Sequence, residues 1–309
     1  MRMSTSSAAV LHPSRWRTRA EEIAREQSRS VRAWTRVIAP GALPRPPEFL
    51  IIGGMRCGTT SVFFHLAEHP EVHPALGKEL NYFTLHHGNG LRWYRAHFPH
   101  RAEGHLSFEA SPYYLYHPLA PGRVIQALPE AKLVVLVRNP VDRAYSHYLH
   151  TRRRGFEPLS FADALEAEPD RLSGAGSGGS QDPARLYSYI SRGRYAEQLE
   201  RWLAVFPRER LHVMRSEDLF SRPAAVLDEL AHFLGITPLG GPLERHAVTP
   251  KETSPQLTPE LRLELSERFA PHNERLADLL GWSSAWTDDL STDHVIRPLK
   301  VEAPETFTA

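Results

Sequence analysis

Three short apolar runs punctuate the chain: FLII at 49–52, LVVLV at 133–137 and LHVM at 211–214. Each is continuously hydrophobic rather than alternating, the pattern of a strand covered on both faces in a parallel sheet. A helical pattern follows each run. After the first, residues Thr59 to Glu68 place Val62, Phe63 and Leu66 on one face. After the second, Asn139-Pro140 opens a helix over Val141 to Arg153, and after the third Pro223 suits the first turn of a helix that Gly235 ends. Repetition of strand, helix and strand predicts an α/β fold with a doubly wound, mostly parallel sheet and helices on both faces. Ligands in such sheets lie at the carboxyl ends of the strands.

The intervening segments are less regular. Residues 70–118 form a long insert rich in histidine and aromatic residues, with a further candidate strand at Leu106 to Glu109, and inserts on that edge commonly build an acceptor pocket. The Gly/Ser-rich stretch from Pro169 to Pro183 reads as a mobile loop, assigned to 169–184. Beyond it Tyr195, Leu199 and Trp202 recur at helical spacing and read as core. Two more helices are expected to begin near Thr258-Pro259 and near His272, the second ending at Gly281. The boundaries expected are a basic arm over 1–47, one catalytic domain over 48–290, and a tail over 291–309.

Composition narrows the function classes. The chain has 309 residues, 41% of them apolar, enough for a large core. A net charge of +1 gives no overall nucleic-acid-binding signature. The N-terminal arm gathers seven arginines, from Arg15 to Arg36, with Trp16 and Trp34. Lysine occurs only at 78, 132, 251 and 300, and the single cysteine, Cys57, excludes an intrachain disulfide and a cysteine-based zinc site. No apolar run approaches the roughly 20 residues that span a bilayer. A soluble, cytoplasmic protein without a secretory signal is therefore expected.

The densest chemistry lies at 48–61, EFLIIGGMRCGTTS, where a strand stops at glycines and a helix opens on hydroxyl residues. Such a turn aims backbone N–H groups and a helix N-terminus at one anion. The spacing from Gly53 to Gly58 matches a nucleotide P-loop, but Thr59 and Thr60 follow and the cation sits earlier, at Arg56. That suits phosphate binding better than Mg-dependent triphosphate chemistry. The second constellation is LVVLVRNPVDRAYSHYLH at 133–150, with Arg138 at a strand end and Ser146 two turns into a helix. An arginine fork and a hydroxyl make a second anion site.

Taken in order, strand, G-x-x-x-G-T-T-S, helix, strand and R-N-P-x-D-R-A-x-S-x-Y resemble the sulfotransferases that use 3′-phosphoadenosine 5′-phosphosulfate (PAPS), especially bacterial members and the heparan sulfate N- and 3-O-sulfotransferase branch. The resemblance covers roughly residues 48–285. It implies PAPS as co-substrate, with Arg56, Gly58, Thr59, Thr60 and Ser61 at its 5′ end and Cys57 inside the same loop. Arg138 and Ser146 are implied at the 3′-phosphate. Arg56 stands where many members have lysine and is assigned an electrostatic role, because an arginine is no general acid at neutral pH. No metal is required.

The resemblance also implies a base. Lys78-Glu79-Leu80-Asn81-Tyr82-Phe83 is similar to the heparan-type pattern, which makes Glu79 the candidate, with His86, His87 and His105 as rivals and Lys78 as an aid to the sulfate or leaving phosphate. Some relatives place a functional lysine directly after the glutamate of the next strand; here Ala110 follows Glu109, so that role is not carried over. Lys251 is a candidate clamp over the nucleotide, although the family's basic-glycine signature is absent. The aromatic insert and Arg92, Arg95 and Arg152 to Arg154 point to a saccharide or glycosylated small molecule as acceptor. A P-loop small-molecule kinase and a non-catalytic PAPS- or polyanion-binding module are the alternatives.

Overall fold

The protein's structure is a computed structural model that describes residues 43–173, 179, 181–238, 240–241 and 257–286. The three apolar runs and the insert's candidate strand are strands, and a fifth joins them. These are β1 (Phe49–Gly53), β2 (Val72–Pro74), β3 (Leu106–Ala110), β4 (Lys132–Val137) and β5 (Leu211–Arg215). All pair in parallel, in the order β2-β3-β1-β4-β5. Strand β2 escaped the pattern because it is three residues long, ends in proline and sits at the sheet edge.

The continuous hydrophobicity of β1 and β4 has the expected cause. Leu50, Ile52, Leu133, Val135 and Val137 enter one core with Tyr114, Leu199, Trp202 and Leu276. Phe49, Ile51, Val134 and Leu136 enter the opposite core with Val62, Leu66, Leu227 and Leu230. Successive side chains alternate between faces, and helices cover both. The chain leaves β1 toward β2 and β3 on one side and reaches β4 and β5 on the other, so the crevice between the ends of β1 and β4 is the topological switch point.

Local signals act as expected at the helix beginning with Pro140: the Asn139 side chain accepts from the N–H groups of Val141 and Asp142 at 3.0 and 3.3 Å. The two helices expected after Thr258 are instead one, Pro259–Leu280, with Pro271 inside it. Leu265, Phe269, Asn273 and Leu276 form a buried stripe at spacings of four, four and three that runs through the proline. Packing outweighs the lost N–H.

Two expected boundaries move. Residues 43–47 of the basic arm already pack on the domain, where the Leu43 and Pro44 carbonyls accept from Arg95 and the Pro46 carbonyl from Arg101. Part of the Gly/Ser-rich loop is ordered as the helix Glu168–Ser173, and the buried Glu168 carboxylate accepts from the N–H groups of Ile190 and Ser191. Among the described residues no helix is long and apolar enough to cross a membrane.

Candidate functional site

The turn after β1 is held against β4. Gly54 N–H donates to the Leu136 carbonyl at 2.5 Å, and a Cβ on Gly53 would come within 2.5 Å of Leu115 Cβ, so the close approach requires glycine there. Gly58, at φ 91°, is the N-cap of the helix Thr59–Ala67 and contributes no side-chain hydrogen bond to its first turn. Arg56 also lies in the left-handed region, at φ 68°. Cys57 is fully buried, and burial first of all pushes its thiol up to about 11. A thiolate is thereby excluded at neutral pH, and Cys57 is a small filler of the turn.

Arg138 follows β4 directly, and Ser146 lies on the helix Pro140–Arg153. Arg56 Nε donates to Ser146 Oγ at 3.0 Å, and Arg138 Nη1 donates to the Arg56 carbonyl at 3.4 Å. The two motifs, 82 residues apart at their arginines, therefore share one crevice. Burial lowers the pKa of Arg56, and the neighbouring charges of Arg153 and Arg138 lower it further. His150 joins this group, its pKa pushed down to about 4 by burial and then by Arg56, Arg154 and Arg153. A crevice that gathers arginines against their mutual repulsion has the electrostatics that suit an anion.

Tyr195 links the halves. Its hydroxyl donates to the Arg138 carbonyl at 3.0 Å and lies 3.7 Å from Cys57 Sγ. Its buried ring agrees with the core reading, while its polar tip fixes the end of β4 beside the cradle.

Lys78 and Glu79 approach from the insert. Lys78 Nζ donates to Thr60 Oγ1 at 3.1 Å, on the first turn of the cradle helix, and stands 3.6 Å from Glu79 Oε1. The Glu79 side chain keeps 35% of its exposure, so it is reachable from outside. A carboxylate and an ammonium are thus carried to the cradle by one turn.

The sequence matches the model of the sulfotransferase domain family over residues 46–251. The chain belongs to the sulfotransferase domain family. Among solved structures, a sulfotransferase from Alicyclobacillus acidocaldarius aligns with a TM-score of 0.64 at 30% identity, covering 77% of this chain and 97% of that one. Among curated relatives, bifunctional heparan sulfate N-deacetylase/N-sulfotransferase 2 of Bos taurus is 31% identical over 273 residues, which is 76% of this chain and 30% of the relative. Heparan sulfate glucosamine 3-O-sulfotransferase 6 of Mus musculus is 34% identical over 197 residues, 62% of this chain and 53% of the relative. The chain thus spans about a third to a half of the length of these curated relatives.

Within this sulfotransferase domain several expected contributors stand elsewhere. His105 precedes β3, at the amino edge of the sheet, where its Nδ1 meets His73 Nε2 at 2.9 Å, so it is no rival to Glu79. Most of the insert's aromatic rings pack on one another: Tyr82 and Tyr94 stack at 4.5 Å, and Phe83, Tyr94 and Phe98 are fully buried. They are core rather than an open platform for a sugar. His86 and His87 lie at the margin of this cluster, against Trp93 and Tyr82. Arg95 is engaged with the backbone of Leu43 and Pro44, whereas Arg92 and Arg152 to Arg154 are exposed. Lys251 lies outside the described residues.

His150 escaped sequence reasoning, Arg153 was expected only on the acceptor side, and Glu109 was noted only as the residue before Ala110. The first two look like solvated helix residues until Arg56 is brought beside them. Glu109 carries a signal in hindsight, being a carboxylate in a strand with parallel partners on both sides.

Proposed function

We propose that this sulfotransferase domain moves the sulfuryl group from PAPS to a hydroxyl or amine of an acceptor, releasing adenosine 3′,5′-bisphosphate. The observation that carries the reading is the meeting of two anion-binding motifs, from adjacent strands β1 and β4, in one cationic crevice. A donor with phosphate at both ends of one nucleoside needs two such sites. Arg56, Thr59, Thr60 and Ser61, with the backbone of Cys57 and Gly58, would hold its 5′ end, and Arg138 and Ser146 its 3′-phosphate. Lys251 is assigned as a clamp on the same nucleotide.

The donor supplies a sulfuryl group on a bridging oxygen that gains negative charge as it leaves. Arg56 and Lys78 neutralise that charge electrostatically. Glu79 takes the proton from the attacking O–H or N–H. The S–O bond to the bridging oxygen breaks as the new S–O or S–N bond forms, and no metal is needed for the balance. A saccharide is the proposed acceptor class, supported by the curated relatives named for heparan sulfate and by exposed Arg153 and Arg154, whose charges act on the crevice at Arg56 and His150. A cytoplasmic location is part of the same proposal, and fractionation of the host cells tests it.

The deciding experiment incubates the protein with PAPS and an acceptor panel containing N-unsubstituted glucosamine polysaccharides, simple glycosides and phenols. Mass spectrometry is expected to find a gain of about 80 daltons on a saccharide, the mass set by sulfuryl transfer. Phosphate transfer from ATP with Mg and no bisphosphate from PAPS would replace this reading by the kinase; tight bisphosphate binding with no turnover would replace it by the binding module.

A further inference from the structure

The buried carboxylate of Glu109 is unused by the chemistry above, yet three backbone amides of the turn that carries Lys78 and Glu79 end on it. Leu80 N–H donates to the Glu109 carboxylate directly. Asn81 N–H donates to Ser111 Oγ at 2.9 Å, and that hydroxyl donates to Glu109 Oε2 at 2.8 Å. Phe83 N–H donates to the Tyr114 hydroxyl at 3.3 Å, which donates to Glu109 Oε1 at 2.9 Å. Asn81 is held at φ 50°, a left-handed conformation that a non-glycine residue keeps only where its surroundings impose it.

We infer that Glu109 is a positioning residue for sulfuryl transfer: with Ser111 and Tyr114 as relays, it fixes the turn 78–83 so that Lys78 reaches Thr60 and Glu79 faces the cradle. The inference rests on the proposed role of Glu79. A neutral carboxyl holds the three amides less firmly than the carboxylate, because protonation turns one accepting lone pair into an O–H donor and removes the charge that strengthens the remaining bonds. The groups facing Glu109 are the Ser111 hydroxyl beyond its own strand, Tyr94 from the helix Gly90–Arg95, Tyr114 from the helix Tyr113–Tyr116, and the Leu80 amide. Burial pushes its carboxyl up to about 7 against the pull of these donors, so the anchor titrates within the working range.

The test compares wild type with Glu109→Gln, Ser111→Ala and Tyr114→Phe by amide hydrogen exchange and by bisphosphate release from PAPS, with water or an N-unsubstituted glucosamine polysaccharide as acceptor. Glu109→Gln is expected to speed exchange at residues 80, 81 and 83 and to lower kcat about tenfold or more, a loss of base positioning. The calorimetric affinity for the bisphosphate should fall much less than kcat, since the variant loosens only the Lys78–Thr60 contact and leaves Arg56, Arg138 and Ser146 in place. Wild-type kcat should fall as pH drops through about 7, and that limb should vanish in Glu109→Gln. Each relay variant should speed exchange at its own amide, residue 81 or 83. Unchanged exchange and an unchanged pH profile in Glu109→Gln would overturn the inference, as would equal losses of kcat and nucleotide affinity. If that variant does not fold, unchanged exchange in both relay variants overturns it. Glu79→Gln in the same assay separates the two claims: full turnover there removes Glu79 as base, while exchange in Glu109→Gln still decides whether the turn is anchored.

Discussion

Arg56 Nε donates to Ser146 Oγ at 3.0 Å, joining the tip of the cradle after β1 to the helix after β4 across 90 residues of chain. The residue assigned to the 5′ end of the donor and one assigned to its 3′-phosphate are therefore neighbours before any ligand arrives. The bond uses only Arg56 Nε and a Ser146 lone pair, so the Arg56 Nη groups and the Ser146 O–H are left to donate to phosphate.

Arg138 is the charged member of the proposed 3′-phosphate site and Ser146 the neutral one, and their losses should differ accordingly. Removing a hydrogen bond to a charged group costs about 1.5–3 kcal/mol, against about 0.5–1.5 for a neutral one. Arg138→Ala is expected to weaken bisphosphate binding about 10- to 150-fold by calorimetry, and Ser146→Ala about 2- to 12-fold. The Arg138→Ala affinity should also depend less steeply on salt, because one screened charge has gone. An unchanged affinity in Arg138→Ala would remove it from the site.

Glu79 and Lys78 stand 3.6 Å apart on one turn, with Lys78 bonded to Thr60. Glu79→Gln keeps the shape and the nucleotide site but loses the proton acceptor. Its kcat should fall by about 10²–10⁴, the usual contribution of a positioned base, with bisphosphate affinity preserved. Turnover at the wild-type rate would transfer the base role to another group.

Cys57 lies in the loop proposed to hold the donor's 5′ end, yet burial holds its thiol up at about 11. A group whose pKa lies above the solvent pH stays protonated, and the thiol is a poor nucleophile. Iodoacetamide at pH 8 should leave the folded protein unmodified and label the single cysteine fully after denaturation, as read by intact mass.

How much of this was visible beforehand depended on the range of the interactions. The strands at 49–52, 133–137 and 211–214 were legible because parallel strands covered on both faces are continuously apolar. The cradle and the Arg138–Ser146 motif were legible because their residues are close in sequence and their chemistry is distinctive. The Arg56–Ser146 bond and the anchoring of the 78–83 turn by Glu109 were not, since spacing within a segment says nothing about which segments meet. The aromatic insert was misread for a related reason: composition does not separate rings that stack on one another from rings held open for a sugar. Pro271 misled in the opposite direction, a strong local signal overridden by the buried stripe from Leu265 to Leu276.

His150 offers a proton-linked test of the cationic crevice. In the free protein its pKa is pushed down to about 4 by burial and then by Arg56, Arg154 and Arg153, so at pH 5 the imidazole is mostly neutral. Phosphate groups bound beside those arginines offset their charge and raise the imidazole pKa toward and beyond 5. Binding at pH 5 should therefore take up protons at His150, whereas an anion bound elsewhere leaves this imidazole without proton uptake. Calorimetry in two buffers of different ionisation enthalpy gives the number of protons exchanged, and the ligand's own contribution cancels between wild type and His150→Gln. Wild type is expected to take up up to roughly half a proton more than the variant on binding the bisphosphate. Equal uptake in the two proteins would place the bound phosphates away from His150 and from the arginines that surround it.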